Sequence, residues 1–170
     1  VSREGLRFVN AFCDAPTCGP SRSAILTGQH IWRLEEAGNI HSTLPAKFAT
    51  YTEELEKVGY KIGYTGKGWS PGRLEAGGRS ENPAGKLYND RMVKPPYKGM
   101  SNKDYAGNFD DFMAEVKEDE PFCFWLGTHE SHRGFQDGAG KLSGKDPSKV
   151  VVPPVFPDND LVRNDILDYL

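Results

Sequence analysis

A chain of 170 residues is long enough for one domain with a sizeable buried core, and a formal charge of -3 with scattered basic residues gives no nucleic-acid footprint. No apolar run approaches the ~20 residues needed to cross a bilayer, and no signal peptide opens the chain. The cysteines, Cys13, Cys18 and Cys123, are too few for a disulfide scaffold and lack the paired ligands of a zinc site.

Arg7 to Phe12 alternates loosely and predicts a strand. The segment from Cys13 to Cys18 is turn-rich, and a helix is expected to open around Pro20 and run to Gly28. After Leu44-Pro45, Thr50 and Glu53 have capping-box spacing, Tyr51, Leu55 and Val58 share a face, and Gly59 can end this second helix. The strand from Tyr60 to Tyr64 follows. From Gly66 to about Asn108 the residues suit long loops with one short element, a length that signals function or an insertion. Phe109, Phe112, Met113 and Val116 predict a third helix with a core stripe. Phe122 to Leu126 is continuously apolar, as in a central parallel strand covered on both faces, where Cys123 serves as a small apolar residue. Loops from Gly134 to Pro157 precede a last helix beginning near Asp158 or Asp160. The chain opens at Val1 without a methionine and stops inside that helix, so both ends look cut.

Alternating helices and strands imply an α/β fold, a mostly parallel sheet flanked by helices, whose ligands bind beyond the carboxyl ends of the strands. Cys18, Lys67 and His129 follow the expected strands in turn, and topology alone predicts that they converge. A cysteine opening a helix sits among unpaired N–H groups that favour anions. Arg22, about one turn on, adds a bidentate donor for oxyanions, Lys67 a point charge, and His129 a general acid. Together these groups suit transfer of a group with several anionic oxygens. The tyrosine-phosphatase pattern fails, because Ala24 stands where its arginine belongs.

The run Cys18-Gly19-Pro20-Ser21-Arg22, continued through Thr27-Gly28, closely resembles the signature of the type I sulfatases. The resemblance extends to Phe8-Val9-Asn10-Ala11-Phe12, to Gly63-Tyr64-Thr65-Gly66-Lys67 and to Trp125 through Arg133. It implies an alkaline-phosphatase-like sulfatase fold, of which residues 1–170 would be a partial N-terminal catalytic domain, inactive alone. It also implies hydrolysis of a sulfuric ester or sulfamate, on a substrate of the sulfated-glycan class. Cys18 would be oxidised to formylglycine by a separate maturation enzyme, and would then be both nucleophile and ligand to a calcium ion. The hydrated aldehyde carries two hydroxyls: one attacks sulfur, and the other later expels sulfate. Arg22 would hold that group, Lys67 would bind a sulfate oxygen, and His129 would bind sulfate or protonate the leaving group.

His132 is a candidate substrate contact, and Trp69 either stacks on a sugar face or packs in the core. Trp69 stands where the family often has a histidine in Gly-Lys-x-His. The stretch from Val152-Pro153-Pro154 to Val162-Arg163 is most similar to the heparan N-sulfatase branch. The remaining calcium ligands would lie outside Val1 to Leu170. By resemblance, the protein would work in the periplasm, outside the cell or in lysosomes. Two alternatives are a phosphoesterase of the same superfold and a non-catalytic protein that grips sulfated glycans.

Overall fold

The computed structural model describes residues 3–170. The chain divides into two compact units. The first comprises the segment through Tyr64, Gly68–Leu87 and Glu115–Trp125; the second comprises Thr65–Lys67, Tyr88–Ala114 and Leu126–Leu170.

In the first unit helix α1 spans Cys18–Thr27. It opens two residues before the expected start at Pro20. A helix leaves its first N–H groups without intrahelical acceptors, so the imino nitrogen of Pro20 is tolerated in the first turn. Gly28 closes α1 at φ 64°, donating its N–H to the Ala24 carbonyl at 2.8 Å. Leu26 buries its side chain inward from this helix. Short 3-10 turns at Ile31–Arg33 and Glu35–Gly38 lead to an apolar cluster of Leu34, Ala37 and Leu44, against which Phe48 and Trp69 pack.

Helix α2, Tyr51–Lys57, has the expected capping box, with Thr50 and Glu53 satisfying each other's backbone N–H groups. Its buried residue is Thr52, and Val58 lies exposed beyond its end. Glu53 also holds the buried Arg79, whose other donors reach the carbonyls of Leu44 at 2.8 Å and Phe48 at 2.7 Å.

Strands β1 (Lys61–Gly66), β2 (Lys86–Leu87) and β3 (Phe122–Gly127) form one sheet in the order β2-β1-β3. β1 and β2 run parallel, with Gly63 opposite Lys86 and Tyr64 opposite Leu87. Two expectations are corrected here. The apolar strand Phe122 to Leu126 lies at the edge, not the centre; β1 is central, and Phe122 and Leu126 are exposed. Its unbroken apolar run cannot by itself reveal which strand gains neighbours on both sides. The strand expected over Arg7 to Phe12 does not form. Among the described residues no strand pairs with it, and Leu6, Phe8, Val9 and Phe12 stay exposed. Alternation makes a strand only where a ladder and a covering layer accept it.

In the second unit α3 (Tyr105–Glu115) buries Phe112, which meets Tyr88 edge-on at a centroid distance of 5.4 Å. Buried Asn108 closes the loop before it, accepting from the Arg91 N–H and donating to the Arg91 and Asp104 carbonyls. The loop region before α3 has little more than β2, a 3-10 turn at Glu75–Gly77 and an isolated Met92–Lys103 bridge, as its composition predicts. The span from Gly134 to Pro157, expected as loop, contains the short helix α4 (Ala139–Leu142) and a turn at Pro147–Lys149. The last helix, α5 (Asp160–Tyr169), starts where expected and is capped by Asn159, which accepts from the Val162 N–H at 3.0 Å. Gly140 fits α4 against α5 because a Cβ there would stand 2.5 Å from the Leu167 carbonyl oxygen.

Candidate active site

Cys18 is the first residue of α1 and is exposed, while Gly19 and Pro20 behind it are buried. No disulfide involves Cys13, Cys18 or Cys123. One turn along, Arg22 is half-buried: its Nη1 donates to the Gly68 carbonyl at 3.2 Å, and its guanidinium lies 5.4 Å from the centre of the Trp125 ring. Burial lowers the Arg22 pKa from its ordinary value, while the charge of Cys18 works in the opposite direction. The pair is therefore coupled electrostatically. A cation one turn behind an exposed sulfur at a helix start can stabilise a thiolate or an oxyanion at that position.

Lys67 follows β1 and His129 follows β3, both in the second unit with His132, whereas Cys18, Arg22 and Trp69 belong to the first. Lys67 is placed by a glycine pair. Its N–H donates to the Gly127 carbonyl at 2.7 Å, and Gly66 turns the chain at φ 68°. A Cβ on Gly66 would come 2.1 Å from the Gly127 oxygen, and one on Gly127 would come 2.2 Å from the Lys67 oxygen. Asn89 adds a clamp, accepting from Thr65 Oγ1 at 3.0 Å and from the Gly66 N–H at 2.8 Å.

The His129 N–H donates to Tyr105 Oη at 3.0 Å, and that hydroxyl donates to Glu130 Oε2 at 2.9 Å. Glu130 also accepts from the Ser101 N–H at 2.7 Å. Burial pushes the Glu130 pKa up, but the hydrogen bonds from Ser101 and Tyr105 and the nearby His129 hold it below the usual carboxylate value. His132 donates from Nδ1 to the Arg133 carbonyl at 3.0 Å. Tyr105 and Asn89 escape a reading of the sequence, since their spacing from Lys67 and His129 follows no motif; Glu130 adjoins His129 in the chain, and only its bonds to Ser101 and Tyr105 depend on the fold. Trp69 packs against the apolar cluster, donates Nε1 to the Gly72 carbonyl at 2.8 Å and carries Arg79 over its ring.

His30, to which the sequence assigns no role, bonds through Nδ1 to Asp14 at 2.6 Å and stacks on Trp32. Asp14 also accepts from the Ile31 N–H at 2.6 Å, so it ties the loop before Cys18 to the chain beyond α1. His30 and the Ile31 N–H hold its carboxyl below the usual range.

Among the described residues no group of three or more His, Cys, Asp and Glu side chains is arranged to hold a metal ion. Calcium takes 6–8 oxygen ligands, so the residues around Cys18 do not by themselves make a calcium site.

The sulfatase family profile matches residues 1–149. An N-acetylgalactosamine-6-O-sulfatase of Bacteroides thetaiotaomicron is 34% identical over 86 residues, covering 48% of this chain and 17% of that protein. An ulvan-active sulfatase of Formosa agariphila is 25% identical over 138 residues, covering 81% of this chain and 25% of that protein. Human arylsulfatase G is 38% identical over 71 residues, covering 39% of this chain and 14% of that protein. The chain thus spans a quarter or less of the length of these relatives. No solved structure matches it.

Proposed function

The chain belongs to the sulfatase family, and on that premise we propose that it carries the nucleophile end of a hydrolase that releases sulfate from a sulfated substrate. What supports this most is the exposed Cys18 at the first position of α1 with half-buried Arg22 one turn along, inside the run from Cys18 to Gly28. Oxidation of Cys18 to formylglycine by a maturation enzyme would supply a hydrated aldehyde able to attack sulfur and then expel sulfate. Arg22 orients that residue and stays cationic beside it. Lys67, fixed at its backbone by Gly66 and Gly127, neutralises a sulfate oxygen. His129, at the end of β3, protonates the departing oxygen or nitrogen. Calcium is the metal the family implies, and of the described residues Cys18, as formylglycine, would be its ligand.

For substrate we propose a sulfated glycan, O- or N-linked. The names of the hexosamine and ulvan sulfatases among the relatives support a sugar, and the stretch from Val152 to Arg163 supports the N-sulfatase branch. The proposed compartment is the periplasm, the cell exterior or the lysosome. Among the described residues no helix is long and apolar enough to cross a membrane.

The test is a peptide mass spectrum across Cys18 of the full-length protein from its native host, joined to a sulfate-release assay. Formylglycine at Cys18, with sulfate release abolished by Cys18→Ala, is the expected result. An unmodified thiol in a host whose maturation enzyme is active would sink the proposal and favour a glycan-binding role.

A further inference from the structure

His129 stands two residues beyond β3 and is exposed, so packing does little to place its imidazole. Its backbone is fixed instead. The His129 N–H donates to Tyr105 Oη at 3.0 Å, and its carbonyl accepts from the His132 N–H at 2.9 Å. The Tyr105 hydroxyl donates in turn to Glu130 Oε2 at 2.9 Å, and the other Glu130 oxygen accepts from the Ser101 N–H at 2.7 Å. A hydroxyl that accepts and donates at once, the second bond going to a carboxylate, is held in direction more firmly than one with a single neutral partner. Burial raises the Tyr105 pKa and the bonds with Ser101 and the His129 N–H act against it; the net shift is upward, so the hydroxyl keeps its proton at neutral pH.

Tyr105 is itself anchored. It opens α3, whose Phe112 is fully buried and whose Asn108 side chain bonds to the Arg91 and Asp104 carbonyls. Its ring lies against the turn before Lys67, since a Cβ on Gly66 would come 3.1 Å from Tyr105 Cε1. One side chain thus touches both the turn that carries Lys67 and the turn that carries His129. All of these residues belong to the second unit.

We propose that Tyr105 is a positioning residue for leaving-group protonation: its hydroxyl holds the His129 backbone so that the imidazole meets the departing oxygen. The proposal rests on the sulfatase reading, with His129 as its acid. A misplaced acid costs most where the leaving group most needs a proton, so the role has a chemical signature that a role in folding lacks.

The test uses full-length protein with Cys18 converted, as wild type and as Tyr105→Phe, which keeps the ring against Gly66 and removes the hydroxyl. Values of kcat/KM are measured on aryl sulfates from 4-nitrophenyl, which leaves readily, to 4-methoxyphenyl, which needs a proton. The loss in Tyr105→Phe is expected to grow from about twofold on the first to about tenfold on the second. In a His129→Ala background the same substitution should add no gradient. Uniform loss across the series, or none, overturns the role, as does a gradient that persists without His129. Glu130→Ala, at an exposed residue, removes the acceptor that directs the hydroxyl and should give the same trend at smaller size. It decides the matter if Tyr105→Phe fails to fold, and a flat profile there overturns the role. Failure of the underlying reading shows separately. His129→Ala without a gradient of its own removes His129 as the acid, and wild-type protein that releases no sulfate removes the sulfatase.

Discussion

Arg79 is a buried cation whose charge is matched by Glu53, which is in turn held by the N–H and hydroxyl of Thr50. Burial raises the Glu53 pKa, and the bonds from Arg79 and Thr50 outweigh it, so the carboxyl sits below its ordinary 4.5. A depressed carboxylate stabilises the folded state fully above the unfolded value and loses that contribution as pH falls through the folded one. The first unit is therefore expected to lose stability as pH drops below 4.5 toward the depressed Glu53 value. Glu53→Gln should flatten that limb of the stability-against-pH curve while lowering stability at neutral pH, where Arg79 is left buried without its counter-charge. Thermal melts of both proteins from pH 3 to pH 7, about the range over which carboxylates titrate, would show it. Parallel acid limbs would mean that other carboxylates carry the effect.

At the scale of elements, the strand ends are set by close backbone approach. Gly127→Ala puts a Cβ against the Lys67 backbone and breaks the bond between the Lys67 N–H and the Gly127 carbonyl. If Lys67 binds sulfate as proposed, the variant should lose about 10²-fold in kcat/KM while Cys18 is still converted to formylglycine. Wild-type kinetics in Gly127→Ala would separate Lys67 from the chemistry.

The elements legible in the sequence are those whose signals are local. The capping box of α2, Gly28 after α1 and the start of α5 each depend on residues within a turn of one another. What escaped depends on distant partners. Arg7 to Phe12 has a strand's alternation but no ladder to join, and Phe122 to Leu126 has a central strand's composition at an edge. The same divide runs through the candidate site. Cys18 and Arg22 are readable because one helical turn fixes their spacing. Tyr105 and Asn89 are not, because only the fold brings them to the ends of β3 and β1.

For the molecule as a whole, the helix that presents Cys18 also conceals the letters around it. Gly19 and Pro20 are buried, and Ser23 is buried with its hydroxyl turned back to the Gly19 carbonyl at 3.1 Å. On the formylglycine proposal, a maturation enzyme that must contact Pro20 finds it buried once α1 has packed. If Cys18 is converted as proposed, the chain faces a race between oxidation and folding. Protein folded first and exposed to the maturation enzyme afterwards should keep its thiol, whereas unfolded chain or a peptide spanning Ala11 to Gln29 should be converted. Equal conversion of folded and unfolded chains, read by mass spectrometry, would show that α1 opens readily enough to be read at any time. Otherwise the proposed formylglycine has a deadline: it can be made only while the fold that would use it does not yet exist.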